Sequence, residues 1–215
     1  MLKIYGPARS RSSRALWMAE ECGVPYEHED LTGYPTMDAK SAAVREVNPI
    51  GKIPVITDGD FTLSESMAIN LYLAKKYGRH LWPTGEQDQA KVLQWSFFGV
   101  TEIDPPLIQL MIERTFRKEG ERNAENEKKN AEAAKRALGA LEGHLAIHPW
   151  LVGSSFTVAD LNVASVLTMA VGAKLELTDH PHIQAWLKRC QDRPAYRKAA
   201  GPAGAPSGAT GSARA

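Results

Sequence analysis

The 215-residue sequence predicts an α/β domain with a mixed sheet, ordered βαβ–ββα, followed by an all-α domain. Three observations predict it. Short apolar runs alternate with helix-periodic segments up to about residue 80, and strand-like alternation is absent after residue 89. A later segment, "TVADLNVASVLTMAVGAKL", is apolar nearly all round, as the central helix of a helical domain must be. The domains are assigned to residues 1–80 and 89–200, with a linker over 81–88 and a tail over 201–215.

The elements follow in order. "LKIYG" reads as the first strand, and "SSRALWMAEECG" as a helix that stops at Gly23, before Val24 and Pro25. "YEHEDL" alternates as a second strand, and "TMDAKSAAVREVNPIG" is a loop carrying a short helix. "KIPVITDGDFTL" is a hairpin turned at Asp58-Gly59-Asp60. "SESMAINLYLAKKYG" is a strong helix with Ala68, Ile69, Leu71, Tyr72 and Leu73 at its apolar positions. Gln89 to Phe116 reads as one long helix bent at Pro105-Pro106. "ERNAENEKKNAEAAKRALGALEGHLAIHPW" is a second long helix, its polar first half a solvated face of alternating charge. "PHIQAWLKRCQDRPAYRKA" gives one final helix, and "GPAGAPSGATGSARA" has nothing to bury and reads as disordered.

Composition excludes several classes. Lys and Arg number 26 against 25 Asp and Glu, for a formal charge of +1, so a nucleic-acid partner is not indicated. No segment approaches the roughly 18 apolar residues of a membrane span, and the start lacks a signal-peptide core, so a cytoplasmic protein is expected. Cys22 and Cys190 are the two cysteines; they form no C-x-x-C and read as packing residues. His144 and His148 stand four apart with no acid or cysteine beside them, a surface pair and not a metal site, while His180 and His182 flank Pro181 as turn residues.

The chemistry is concentrated in a few segments. In "NPIGKIPV", a cis Ile53-Pro54 bond would leave the Ile53 amide and carbonyl facing a ligand. In "LSESMAI", Ser64, Glu65 and Ser66 lie where a strand hands over to a helix, and unpaired amides there favour an anion. Ser66 suits a carboxylate and Glu65 an ammonium, together the zwitterionic head of an amino acid. A plain N-cap with an acid in the first turn is the competing reading. In "FTVADL", Thr157 caps a helix while Asp160 reaches back to its amide, and Phe156 and Leu161 take the staple positions, a folding determinant. "RSRSSR", at a helix start, also offers cations and hydroxyls to phosphate, but no G-x-x-x-x-G-K-[ST] accompanies it.

These pieces together resemble the cytosolic glutathione transferase family, in its bacterial, serine-type (theta/phi-like) form. "NPIGKIPVITDGDFTLSESMAI" is similar to the family's glutathione-binding core, and "WLVGSSFTVADL" and "WLKRCQDRPAY" to its helical domain, so that about residues 1 to 200 are covered. The resemblance implies a thioredoxin-like first domain, glutathione as co-substrate without a metal, small hydrophobic electrophiles as acceptors, a role in detoxification, and a homodimer. It implies that Glu65 and Ser66 hold the γ-glutamyl end, that the Ile53 backbone beside Pro54 pairs with the cysteinyl part, and that Lys40 and Lys52 lie near the glycyl carboxylate. Ala39 stands where some relatives carry histidine.

Family members activate the thiol with tyrosine, serine or cysteine, and no cysteine occurs from Tyr5 to Trp17. Ser10, four residues before Arg14, keeps the serine-type register; Ser12, Ser13 and Tyr5 are the alternatives, with Ser12 or Ser13 also a candidate helix cap. Lowering a thiol from about 8.5 by about two units takes roughly 2.7 kcal/mol, which one hydroxyl donor and helix-terminal amides can supply together. The acceptor pocket is expected against the long helix, lined by Trp95, Phe98, Glu102, Ile108 and Met111. Two other functions stay open on the same residues: glutathione-dependent reduction of peroxides or disulfides, and a transferase-like binding or adaptor protein without turnover.

Overall fold

The first strand, β1 (Leu2–Tyr5), has neighbours of both senses. It runs parallel to β2 (Tyr26–Glu29) and antiparallel to β3 (Val55–Asp58), which pairs in turn with β4 (Phe61–Ser64), giving the order β2-β1-β3-β4. A parallel pair needs a crossover, supplied here by α1 (Ser12–Cys22). Gly23 ends that helix at φ 62, and its N–H returns to the carbonyls of Ala19 and Glu20. The computed structural model describes residues 1–33, 36–170 and 172–200, with residues 37–40 and 169 described by backbone alone. The expectations for the 201–215 tail and for the Lys40 side chain therefore lie outside the described residues.

Alternation along the strands divides the core. Leu2, Ile4 and Ile56 are buried with Met18 of α1 and with Ile69 and Leu73 of α3 (Ser66–Lys76). Tyr5 and Val55, one residue out of phase, pack instead with Leu31 and with Val44 of α2 (Met37–Val47). The hairpin turns at Gly59, φ 62, with Asp58 opposite Phe61. Asp58 then secures the end of α3: its Oδ2 accepts from Tyr72 Oη at 2.8 Å, Lys76 Nζ at 2.7 Å and Tyr77 Oη at 2.7 Å.

The helical part departs from the expected single bent helix. It begins at Glu86 within the segment assigned to a linker, as α4 (Glu86–Phe98), and passes through a π turn (Gly99–Ile103) into α5 (Asp104–Met111) and a second π turn (Ile112–Phe116). Pro105 and Pro106 fall in the first turn of α5, where the missing N–H groups cost little, and the π turn just before them absorbs the change of register. Asn123 caps α6 (Ala124–Leu145) through its Oδ1, which accepts from Asn126 N at 2.9 Å. All ten residues of α7 (Val158–Leu167) are buried, as its apolar circumference demands.

The expected last helix is two helices, α8 (Pro181–Gln191) and α9 (Pro194–Ala200). Pro194 cannot continue the first and starts the second. The chain end is held on α1 by Arg193, whose Nε and NH2 reach the two carboxylate oxygens of Glu21 at 2.7 Å each, and by the edge of Trp17 against Tyr196. A buried polar chain also joins the two parts: Asn70 donates to Asn162, and Asn162 to Ser96, at 2.8 and 2.9 Å.

Burial pushes the Cys22 thiol up to about 12, and its sulfur lies 3.7 Å from Met18 Sδ. Cys190 is fully buried and shifted upward by the same cause, so both thiols are packing groups. The His144 ring lies against Trp95 and His148, and among the described residues no three His, Cys, Asp or Glu side chains gather as a metal site. No described helix is long and apolar enough to cross a membrane.

Candidate active site

The site grows from the junction of β1 and α1. Gly6, at φ 120, leaves the strand so close to the helix that a Cβ there would fall 2.0 Å from Ser12 Oγ. Ser12 is fully buried and donates to the Tyr5 carbonyl at 3.1 Å, which takes its hydroxyl out of any ligand site. Neither Ser12 nor Ser13 caps α1: the N-cap is Arg11, without a side-chain bond. The orphan N–H of Ser12 is accepted instead by Ser10 Oγ at 3.1 Å, while the Ser10 hydroxyl donates to the Pro7 carbonyl at 2.7 Å. The Tyr5 ring packs in the α2-side cluster, away from this junction. Of the four candidates, Ser10 and Ser13 are the half-buried hydroxyls facing a cleft.

Two clefts open here. One, of ≈ 290 Å³, brings together Lys52, Ile53, Pro54, Glu65 and Ser66, residues drawn from the β3 approach and the start of α3. The Ile53-Pro54 peptide is cis. Asn48 shapes the approach loop, donating to the Lys52 carbonyl at 2.8 Å and accepting from Ile50 N at 3.3 Å. The plain N-cap reading of Ser64–Ser66 does not hold. Glu65 occupies the cap position at φ 71, ψ 114, and makes no side-chain capping bond. A non-glycine residue in such a conformation is held by its surroundings at a cost of order 1–3 kcal/mol, a strain that clusters at ligand sites. The amides at the head of α3 are consequently left without a side-chain cap, beside an exposed carboxylate and a buried hydroxyl.

The same cleft holds a charge bridge that sequence reasoning did not find. Asp104, from the head of α5, accepts from Arg14 NH2 at 2.7 Å and from Arg11 NH2 at 2.8 Å, and Arg14 NH1 donates to Ser66 Oγ at 3.3 Å. Burial lowers Arg14 from its ordinary value, and the adjacent Asp104 carboxylate opposes that shift. The bridge links α1, α3 and α5 across the sheet-bearing and helical domains.

The second cleft, of ≈ 470 Å³, is lined by Ser10, Ser13, Ile108 and Met111, with Arg11 and Arg14 common to both clefts. Ile108 and Met111 were expected there; Trp95, Phe98 and Glu102 lie off the walls. Trp95 is in the core, packed T-shaped with Phe98 and tilted against His144, and Glu102 is exposed. The helix repeat accounts for the difference: at about 100° per residue Ile108 lies about 120° and Met111 about 180° around the axis from Glu102, so one stripe does not hold both sets, and the π turn at Gly99–Ile103 changes the register besides.

With this geometry in hand, the chain was compared with known proteins. Residues 9–76 match the family model "Glutathione S-transferase, N-terminal domain" and residues 101–194 "Glutathione S-transferase, C-terminal domain". Glutathione S-transferase 4 of Zea mays is 33% identical over 93% of this chain and 92% of its own length, and Glutathione S-transferase 3 of the same plant 34% identical over 92% of each. Among solved structures, the theta class glutathione S-transferase of Xanthomonas axonopodis pv. citri, with glutathione bound, superposes with a TM-score of 0.81. It is 28% identical over 93% of this chain and 97% of that one.

Proposed function

This chain belongs to the glutathione S-transferase family, and on that premise we propose that Ser10 is the hydroxyl that holds the thiol of bound glutathione as its thiolate. The protein is a glutathione transferase with glutathione as co-substrate. What supports the residue assignment is that Ser10 lines the acceptor cleft with Arg11 and Arg14, which also line the glutathione cleft, whereas Ser12 is buried and Tyr5 packs with the α2-side cluster.

The step asked of Ser10 is small. Its acceptor side already takes the Ser12 N–H, and its proton rests on the Pro7 carbonyl. Turning that proton from a neutral carbonyl to an anionic sulfur exchanges one hydrogen bond for a charge-assisted one, which is the stronger of the two. Glu65 receives the α-ammonium of the γ-glutamyl residue, and Ser66 and the uncapped amides of α3 its carboxylate. The Ile53 backbone beside Pro54 pairs with the cysteinyl part, and Lys52 lies near the glycyl carboxylate; these assignments are supported by the gathering of the residues in one cleft. Ile108 and Met111 offer the apolar surface for a small electrophile.

A two-domain arrangement, with the N-terminal domain binding the tripeptide and the helical domain giving the acceptor wall, fits this division of labour. A cytoplasmic homodimer with a role in detoxification completes the proposal. Pairing of two copies is supported by Leu93 and Phe97, one turn apart on α4 and 39% and 61% exposed, and by the exposed Phe61.

The test is the pH dependence of turnover with glutathione and an aryl chloride. Ser10→Ala is expected to leave the KM for glutathione nearly unchanged, raise the apparent pKa of kcat/KM by about one unit and slow the neutral-pH rate about tenfold. An unaltered profile would move the role to Ser13.

A further inference from the structure

The two clefts differ in charge. The wall of the acceptor cleft carries three guanidinium groups, Arg9, Arg11 and Arg14, beside Ile108 and Met111, and no acidic residue among the described residues. One carboxylate answers them: Asp104, which lies on the glutathione side and is shared by Arg11 and Arg14. Counted over the described residues, the guanidinium groups of this wall outnumber this carboxylate by two. Arg11 is 44% exposed on its side chain and reaches Asp104 through NH2, while the Arg9 side chain makes no ion pair or hydrogen bond among the described residues. Arg9 lines the acceptor cleft and not the glutathione cleft, which has Lys52 of its own. The tripeptide therefore leaves this charge unaccounted for.

The acceptor cleft shares Ala8, Ser13, Ser165 and Thr168 with a smaller recess of ≈ 160 Å³, whose lining includes Trp17 and Tyr196. A cationic cleft and an adjoining recess with aromatic lining suit a molecule that carries both an anion and a flat apolar body.

Resting on the transferase reading of this site, we propose that its electrophile is an aromatic acid, a ring bearing the leaving group and a carboxylate or similar anion, and that Arg9 and Arg11 are the residues that select it. With an aryl chloride, the glutathione thiolate adds to the ring carbon that bears chlorine. The carbon–sulfur bond forms, and chloride leaves with the electron pair of the carbon–chlorine bond; the thiol's proton has already passed to solvent. Arg9 and Arg11 contact the remote anion and take no part in that exchange.

The experiment compares 4-chloro-3,5-dinitrobenzoate with its methyl ester, each kcat/KM divided by the rate of its uncatalysed reaction with glutathione. The acid is expected to be accelerated about tenfold more than the ester, the effect of a charge-assisted bond at a partly exposed site, and that preference is expected to shrink as salt is raised. Arg9→Gln should lower the acid-to-ester ratio several-fold, and Arg9→Lys should restore part of it. Equal acceleration of acid and ester overturns the inference while leaving the transferase reading in place. A raised KM for glutathione in Arg9→Gln, with the ratio intact, also overturns it by assigning Arg9 to the tripeptide. Failure to turn over either compound overturns the transferase reading, and this inference with it.

Discussion

The starts of α3 and α7 are built from the same kinds of residue and come out as different things. Each carries a hydroxyl and an acid. At α7, Thr157 Oγ1 accepts from Ala159 N at 3.3 Å, and Asp160 Oδ2 accepts from Thr157 N at 2.9 Å. Asp160 Oδ1 takes two further donors, Leu151 N at 3.0 Å and Trp186 Nε1 at 2.8 Å, so one fully buried carboxylate ties three segments together. At α3 the acid sits in the cap position with its backbone at positive φ and caps nothing, and the hydroxyl turns toward Arg14. A helix start whose amides are answered by its own side chains is scaffold; one whose amides are left open is a receptor. The open start is tolerable because α3 is fastened at its other end by Asp58.

That contrast can be broken in three places. The largest effect is expected at α7. Asp160→Ala strands the buried donors of Leu151, Thr157 and Trp186 and should cost roughly 3–5 kcal/mol of unfolding free energy in urea titrations, with normal turnover per folded molecule. Normal melting with lost turnover would place Asp160 in the chemistry instead. At α3 the pattern should invert. Ser66→Ala is expected to raise the KM for glutathione about tenfold while costing under about 1 kcal/mol of stability. A fall in melting temperature with an unchanged KM would make the α3 start one more cap.

The smallest effect concerns the far end of α3. Burial pushes the Asp58 carboxyl up, but the donors Lys76, Tyr77 and Tyr72 outweigh it and hold the group below its ordinary value. A carboxyl lowered in the folded state contributes stability that is complete above its unfolded pKa, near 4, and is lost as pH falls through the folded value. The stability difference between the wild type and Asp58→Asn should therefore be under about 1 kcal/mol at neutral pH, Lys76 being half in solvent, and vanish on acidification. A difference that persists in acid would mean that packing, not charge, fastens the helix.

The sheet and helix order was legible because its signals are local: alternation in β1 and β3, Asp-Gly at the hairpin, Gly23 after α1. The break at Pro194 was legible too, since a proline inside a helical run is a stop, yet the run around it was read as one helix. Two features had no local signal. The π turn at Gly99–Ile103 forms where α4, α6 and α7 pack about it and is not announced by the local sequence, while Trp95, Phe98 and Glu102 were grouped with Ile108 and Met111 by their place on one long helix and not by a shared face. Asp104 meets Arg14 across 90 residues of chain, a separation at which no spacing rule applies. The three hydroxyls of "RSRSSR" were separated by Gly6, whose close approach to Ser12 exists only in three dimensions.

The Asp104 bridge bears on whether the sheet-bearing half can be treated as a detachable module. Arg11, the N-cap of α1, and Arg14 in its first turn lie three residues apart, where like charges repel, and the carboxylate that reconciles them is contributed by the other half of the chain. Expressed alone, the first half would keep its sheet residues and its α3 receptor yet present two crowded guanidiniums where the whole protein holds them about a shared carboxylate. Grafting that half onto a different helical partner would carry over the pocket's outline but not its electrostatics, unless the new partner also brought a carboxylate to that corner.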